Sequence, residues 1–286
     1  SYLLKPVSQA ELLNAIMTAL GESIEQQATL ITRHSLRENR KKLHLLLAED
    51  NLVNQTLAVR LLEKLGHTVS VAHNGIEAVQ QWQAGVFDAI LMDVDMPVMN
   101  GYEATQKIRE HERLSNQHIS IIAMTAHAMH GVREICIQNG MDAYLSKPID
   151  TEALWQQLDM LGSNEHESYT KIAAVAPTNM IADLAQTREM IGNERAVFDT
   201  LVGLFSKDIE KHTLAIRQGL AEGDRTAVKH SAHSIKGMGG IFFAESTMQL
   251  AGELEKYAGQ ENAHELFLQL ELAIVELRTV IADYQW

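Results

Sequence analysis

Between residues 43 and 161, five short apolar runs each give way to a segment with helical apolar spacing, and no two runs follow one another directly. The runs are 43–48, 68–72, 88–92, 119–124 and 143–146, and the helical segments are 54–65, 76–84, 101–113, 132–139 and 151–161. Strands joined through helices cannot be hairpin neighbours. Each connection is a right-handed crossover, which makes the strands parallel and covers both faces of their sheet. The pattern predicts an α/β domain over 43–161: a doubly wound, five-stranded parallel sheet.

In an open parallel sheet, sites form outside the carboxyl ends of the strands. Immediately after the apolar runs stand Glu49 and Asp50, Asp93, Thr125 and Lys147. Three carboxylates converge there with Lys147 as counter-charge. Like charges this close raise one another's pKa unless a cation neutralises them, and hard oxygen ligands with room for waters suit Mg²⁺. The alternative places each acid at a solvated helix N-terminus, where acids are common. One acid at one strand end fits that alternative; five polar residues at the same end of four strands fit it poorly.

The residues stand as Ala48-Glu49-Asp50-Asn51, then Leu91-Met92-Asp93-Val94-Asp95-Met96-Pro97-Val98-Met99-Asn100-Gly101, Met124-Thr125-Ala126 and Tyr144-Leu145-Ser146-Lys147-Pro148. In these motifs, residues 43–161 resemble the receiver domain of two-component response regulators, which implies a flavodoxin-like fold. The resemblance implies that Asp93 accepts a phosphoryl group and that Glu49 and Asp50 bind Mg²⁺ with Asp93 and the main-chain carbonyl of Asp95. It also implies that Thr125 and Lys147 contact phosphoryl oxygens, and that Thr125 and Tyr144 form a switch pair. Read from the residues alone, Tyr144 is equally an ordinary half-buried strand aromatic. The residue types agree with the chemistry: a carboxylate is a competent phosphoryl nucleophile, and a cation, an ammonium and a hydroxyl stabilise charge on the equatorial oxygens. The Lys147–Pro148 bond is a candidate for a cis peptide.

Residues 162–178 are polar and irregular and read as a linker. Beyond Pro177 there is no proline, and 179–286 carry only helical periodicity, broken at Gly192, Gly223-Asp224 and Gly259-Gln260. An all-α up-and-down bundle is expected. His233 stands out by its neighbours, Ala232-His233-Ser234-Ile235-Lys236-Gly237-Met238-Gly239-Gly240. Lys236 and Gly237 lie one turn on, on the same helix face. Three glycines in four positions cost a helix about 1 kcal/mol each, which suggests that something approaches closely. A helix end followed by a glycine-rich turn, with His233 incidental, remains open on the residues alone. No His-Glu-x-x-His or cysteine partner supports a metal site here. The segment resembles the histidine-containing phosphotransfer (Hpt) domain, a four-helix bundle with a His-x-x-Lys-Gly core. That implies a phosphoryl-carrying His233 assisted by Lys236. Met238 and Phe243 stand where smaller residues are usual in that family.

Residues 2–7, Tyr-Leu-Leu-Lys-Pro-Val, answer residues 144–149, Tyr-Leu-Ser-Lys-Pro-Ile, and the match continues with Leu12 for Leu154 and Ile16 for Leu158. Residues 1–20 thus read as the C-terminal fragment of a preceding receiver domain, the alternative being coincidence in a short motif. Residues 21–42 read as a linker, with five basic residues from Arg33 on. A multidomain chain is expected: fragment, linker, receiver, linker and Hpt bundle. This order resembles the C-terminal part of a hybrid sensor histidine kinase, a phosphotransferase portion without its ATP-binding domain, since neither an Asp-x-Gly-x-Gly box nor a P-loop occurs. The implied partners are the upstream histidine kinase core and the receiver domain of a downstream response regulator.

Composition limits the other classes. Acidic residues outnumber basic ones 37 to 24, for a formal net charge of −13, and both halves are acidic, so nucleic-acid binding is disfavoured. The one cysteine, Cys136, fits a reducing compartment. No apolar run approaches the ~18 residues of a membrane span. Cytoplasmic localisation is expected, with the parent protein a candidate for anchoring in the bacterial inner membrane, and no direct membrane contact by this segment. Two rival functions remain. One is a non-catalytic scaffold in which the receiver only docks partners, against which the intact Asp93, Thr125 and Lys147 count. The other is an aspartyl phosphatase, whose Asp-x-Asp-x-Thr pattern is broken by Pro97.

Overall fold

A computed structural model describes residues 42–115, 117–125, 132–161 and 181–286. The expected receiver fragment at 1–20 and the expected linkers at 21–42 (Lys42 aside) and 162–178 lie outside the described residues. In chain order the elements are β1 (His44–Ala48), α1 (Leu52–Lys64), β2 (Thr68–Ala72), α2 (Gly75–Ala84), β3 (Ala89–Asp93), α3 (Gly101–Ser115), β4 (Ser120–Thr125), α4 (Val132–Gln138), β5 (Ala143–Ser146) and α5 (Thr151–Met160). Then come α6 (Leu184–Met190), α7 (Arg195–Glu222), α8 (Arg225–Ile241), α9 (Glu245–Tyr257) and α10 (Ala263–Asp283).

The five strands form one parallel sheet in the order β2-β1-β3-β4-β5. This is the flavodoxin-like order, with its switch point between β1 and β3. Alternation along β1 divides the core. Leu45 and Leu47 join α1 and α5 on one face, while Leu46 and Ala48 join the α2 and α3 residues Ala78, Ala104 and Ile108 on the other. The central strand β3 is buried along its whole length, as a sheet covered on both faces requires.

The C-terminal segment is all helical. Helices α7 to α10 pack each on the next, and α10 closes on α7, giving the expected four-helix bundle with the short α6 beside it. Phe205 and Phe242 lie at its centre, ring centroids 5.0 Å apart and both fully buried. The breaks expected at Gly192 and Gly223 fall where these glycines take φ of 74° and 73°. The break between α8 and α9 carried no glycine signal. There Phe243 adopts φ 49°, a conformation L side chains resist. The glycines Gly237, Gly239 and Gly240 lie within α8 rather than in a turn after it, and Gly239 and Gly240 form its last turn, their carbonyls accepting the Phe242 N–H. No helix among the described residues is long and apolar enough to cross a membrane.

His212 on α7 is 7% exposed, and burial, with help from the charges of Lys211 and His230, pushes its pKa down to about 4. The fold therefore holds it neutral. Between about 4 and the unfolded value of about 6.5, the unfolded chain binds the extra proton, so stability falls as pH drops through that window. The loss amounts to about 3 kcal/mol at its lower end. Urea unfolding near pH 7.5 and near pH 5 checks this: the wild type loses more than His212→Gln on acidification, and equal losses would show that His212 is not the cause.

Candidate functional site

The parallel register brings the strand ends to one edge. β1 delivers Glu49 and Asp50, β3 ends on Asp93, and β4 ends on Thr125, paired with Ser146 just ahead of Lys147. Glu49, Asp50 and Asp93 offer carboxylate oxygens that lie within 4.8 Å of one another. Lys147 Nζ stands 2.6 Å from Glu49 Oε2 and 2.7 Å from Asp93 Oδ2. Its backbone N–H donates to Thr125 O at 2.7 Å, and its bond to Pro148 is cis.

Local sequence fixes these placements. Asn51 caps α1, its Oδ1 accepting from the N–H groups of Val53 and Asn54 at 3.0 and 3.1 Å, so the helix starts directly after the acids. Asn54 Nδ2 donates to Glu49 Oε1 at 2.9 Å, and the Asp95 N–H donates to Asp93 Oδ1 at 3.4 Å. Gly101 opens α3 against the end of β3, where a Cβ would meet the Asp93 carbonyl oxygen at 2.2 Å. In the loop between them Val98 takes φ 69°, a strained state for a β-branched residue.

Burial raises the pKa of all three acids above the carboxylate range. The charge of Asp93 adds to this at Glu49 and that of Glu49 adds at Asp50, while Lys147 opposes it at each. For Lys147, burial pulls the ammonium down, but Asp93 and Glu49 outweigh it and the pKa is raised. Three ionised carboxylates against one ammonium leave two negative charges uncompensated, the charge of one divalent cation. Hard, clustered oxygen donors of this kind fit Mg²⁺.

Of the residues expected at the site, Thr125 is 3% exposed at its strand end. Tyr144 is 36% exposed on β5 and stands outside the carboxylate cluster. His233 and Lys236 come from α8, which packs against α1. His233 Nε2 lies 3.8 Å from Asp95 Oδ2, and its Nδ1 lies 3.1 Å from Glu255 Oε1 on α9. Lys236 Nζ lies 3.7 Å from Glu255 Oε2. Burial lowers the His233 pKa, but the Glu255 hydrogen bond and the charges of Asp95 and Asp93 outweigh it and leave the ring raised. A groove of about 1460 Å³ runs alongside, lined among others by Asp95, Val98, His230, His233, Lys236 and Glu255.

Three residues at this junction escaped sequence reasoning. His230 Nε2 lies 3.6 Å from Asp50 Oδ2, and its place one turn before His233 was a usable signal. Asn54 and Glu255 gave none, since each acts through a neighbour that only the fold supplies.

Two family models match the chain: the response regulator receiver domain over residues 45–159 and the Hpt domain over residues 200–283. The sensor protein EvgS of Escherichia coli (strain K12) is 28% identical over 236 residues, covering 82% of this chain and 19% of the relative. The sensor histidine kinase GacS of Pseudomonas protegens is 34% identical over 191 residues, covering 64% and 19%. The solved receiver domain of the sensor histidine kinase PA1611 from Pseudomonas aeruginosa PAO1, with a magnesium ion in its active site cleft, is 43% identical. It covers 43% of this chain and 100% of that one, with a TM-score of 0.39. The chain spans between 7% and 19% of the length of the curated relatives it matches.

Proposed function

Because the chain carries a response regulator receiver domain followed by an Hpt domain, in the C-terminal order of hybrid histidine kinases, we propose that it passes a phosphoryl group along a relay. Asp93 accepts the group from a phosphohistidine of an upstream histidine kinase core. His233 then takes it and hands it to the receiver domain of a downstream response regulator. The observation that carries this reading is the placement of His233 Nε2 at the mouth of the carboxylate cluster, 3.8 Å from Asp95 Oδ2. The domain limits proposed are 43–161 and 179–286, and the setting proposed is the cytoplasm, where the single, buried Cys136 stays reduced.

Glu49, Asp50 and Asp93, with the carbonyl of Asp95, are the residues that would hold Mg²⁺. When bound, that ion supplies charge stabilisation to the phosphoryl oxygens. Lys147 and Thr125 stabilise the same oxygens from the protein side. In the second transfer the Nε2 lone pair of neutral His233 forms a P–N bond as the bond between phosphorus and the Asp93 carboxyl oxygen breaks, and Asp93 departs as a carboxylate. The ring keeps its Nδ1 proton and becomes cationic. Glu255 accepts the hydrogen bond from Nδ1–H, which fixes the tautomer that exposes Nε2 and balances the new charge. Lys236 stands beside it to meet a phosphoryl oxygen, and Tyr144 with Thr125 reports the phosphorylated state.

A small acyl phosphate supplied with Mg²⁺ is expected to label Asp93 and, through it, His233; EDTA abolishes both labels. Mass-spectrometric mapping that finds no label on Asp93 with Mg²⁺ present overturns the reading. Glu255→Ala slows transfer from Asp93 to His233 on the order of 10- to 100-fold, the usual weight of a residue that orients a working imidazole. It also shifts the ¹⁵N signals of His233 toward mixed tautomers, while Glu255→Gln, which still offers an oxygen, retains most of the rate. Unchanged signals in Glu255→Ala would exclude the positioning role.

A further inference from the structure

His233 is 7% exposed, and its face of α8 is occupied by the receiver of the same chain. Gly237 gives this approach its room, and Gly240 lies in ordinary contact beside it. A Cβ on Gly237 would stand 3.0 Å from Asn54 Nδ2, and one on Gly240 would stand 3.4 Å from Pro148 Cδ. Around them His230 faces Asp50, His233 faces Asp95, and Lys64 at the end of α1 reaches Glu194 at 3.8 Å. Underneath, the buried apolar residues of β1, α1 and α5 join those of the bundle in one continuous cluster, and α1 packs on both α7 and α8. This surface accepts a receiver domain. It fits a partner that brings an α1 helix with a small polar residue to Gly237 and strand-end carboxylates to His230 and His233. The groove beside His233 leaves room for a small molecule but not for a second domain over the same face.

We propose that the chain's own receiver is the resident occupant of the Hpt docking face and competes there with any second receiver, so that His233 gives up its phosphoryl group in trans only after residues 43–161 leave α8. Any second receiver must bring its aspartate to the same Nε2, and the two therefore exclude each other. The inference deepens the relay reading and rests on it.

A reversible lock tests it. Asn54 Nδ2 and Cγ lie 3.0 and 3.8 Å from the Gly237 Cβ position, so cysteines at 54 and 237 bring their sulfurs within reach of one another. A donor chain carrying Asn54→Cys, Gly237→Cys and Cys136→Ser, with Asp93→Asn so that its own receiver cannot accept, is labelled on His233 with phosphoramidate while reduced and then oxidised. The acceptor is the full chain with His233→Gln. The expected result is transfer from the reduced donor, at least a tenfold slower transfer from the oxidised donor, and recovery on adding a thiol. Equal rates in the two redox states, with the disulfide verified, overturn the proposal. Transfer from neither form, with the Asp93→Asn chain that keeps Asn54 and Gly237 silent as well, removes the relay reading itself, and the competition with it. A second donor needs no cross-link. Asn54→Trp, with Asp93→Asn, crowds Gly237 and is expected to transfer faster than Asp93→Asn alone; a slower or equal rate counts against resident occupancy.

Discussion

Asp93→Asn is expected to remove label from both Asp93 and His233 when acyl phosphate and Mg²⁺ are supplied, whereas His233→Gln keeps the label on Asp93 and prolongs it. The asymmetry follows from order. Of the two, Asp93 is the one whose carboxylate has Lys147 and the acid pair arranged around it. An amide oxygen is no phosphoryl nucleophile, so the loss is on the order of 10³-fold or more. The same substitution has an opposite effect on stability. Burial raises the Asp93 pKa, so its folded-state pKa exceeds the unfolded one and the ionised form destabilises the fold above that range. Asparagine removes the charge and leaves Lys147 paired with Glu49 at 2.6 Å. In EDTA the variant should therefore melt higher than the wild type while being inert. A lower melting point would mean that Asp93 contributes favourably through Lys147 even without a cation.

Phe242→Ala is the substitution expected to cost most in stability, about 3–5 kcal/mol. Phe242 is fully buried at the corner between α8 and α9. Its ring stands 5.0 Å from that of Phe205 and 6.4 Å from that of Phe198, and its carbonyl accepts from the Asp183 N–H at 3.1 Å. Truncation empties the centre of the bundle at a point where the backbone cannot close in, because Phe243 is already held at φ 49°. Denaturant unfolding measures the difference. A loss under about 1 kcal/mol would show that the surrounding rings collapse into the gap.

The sheet was legible because period and topology leave few choices. The expected runs 68–72 and 143–146 coincide with β2 and β5, and 119–124 is displaced by one residue because Thr125 pairs with Ser146 and stays in the ladder. The strand-end residues of the site followed from the same topology, since a parallel sheet can only place them at one edge. Glu255 could not follow. It lies 22 positions from His233, on a helix whose rotation is set by how α8 and α9 interlock. The glycines of α8 were ambiguous for a related reason. Their backbone cost was visible, but what Gly237 makes room for, Asn54, belongs to a distant part of the chain. Phe243 carried a real signal, a large residue where a small one is usual, and the positive φ gives its physical meaning.

The glycines inside α8 have one more consequence. A helix with three of them among four residues is intrinsically soft, by about 1 kcal/mol for each; the receiver packs against it at Gly237 and Gly240, and α9 at Gly239. The main-chain amides from Gly237 to Ile241 should then exchange hydrogen slowly while the receiver is seated and quickly once it departs. The backbone beside His233 is thus a built-in gauge of what is bound to it.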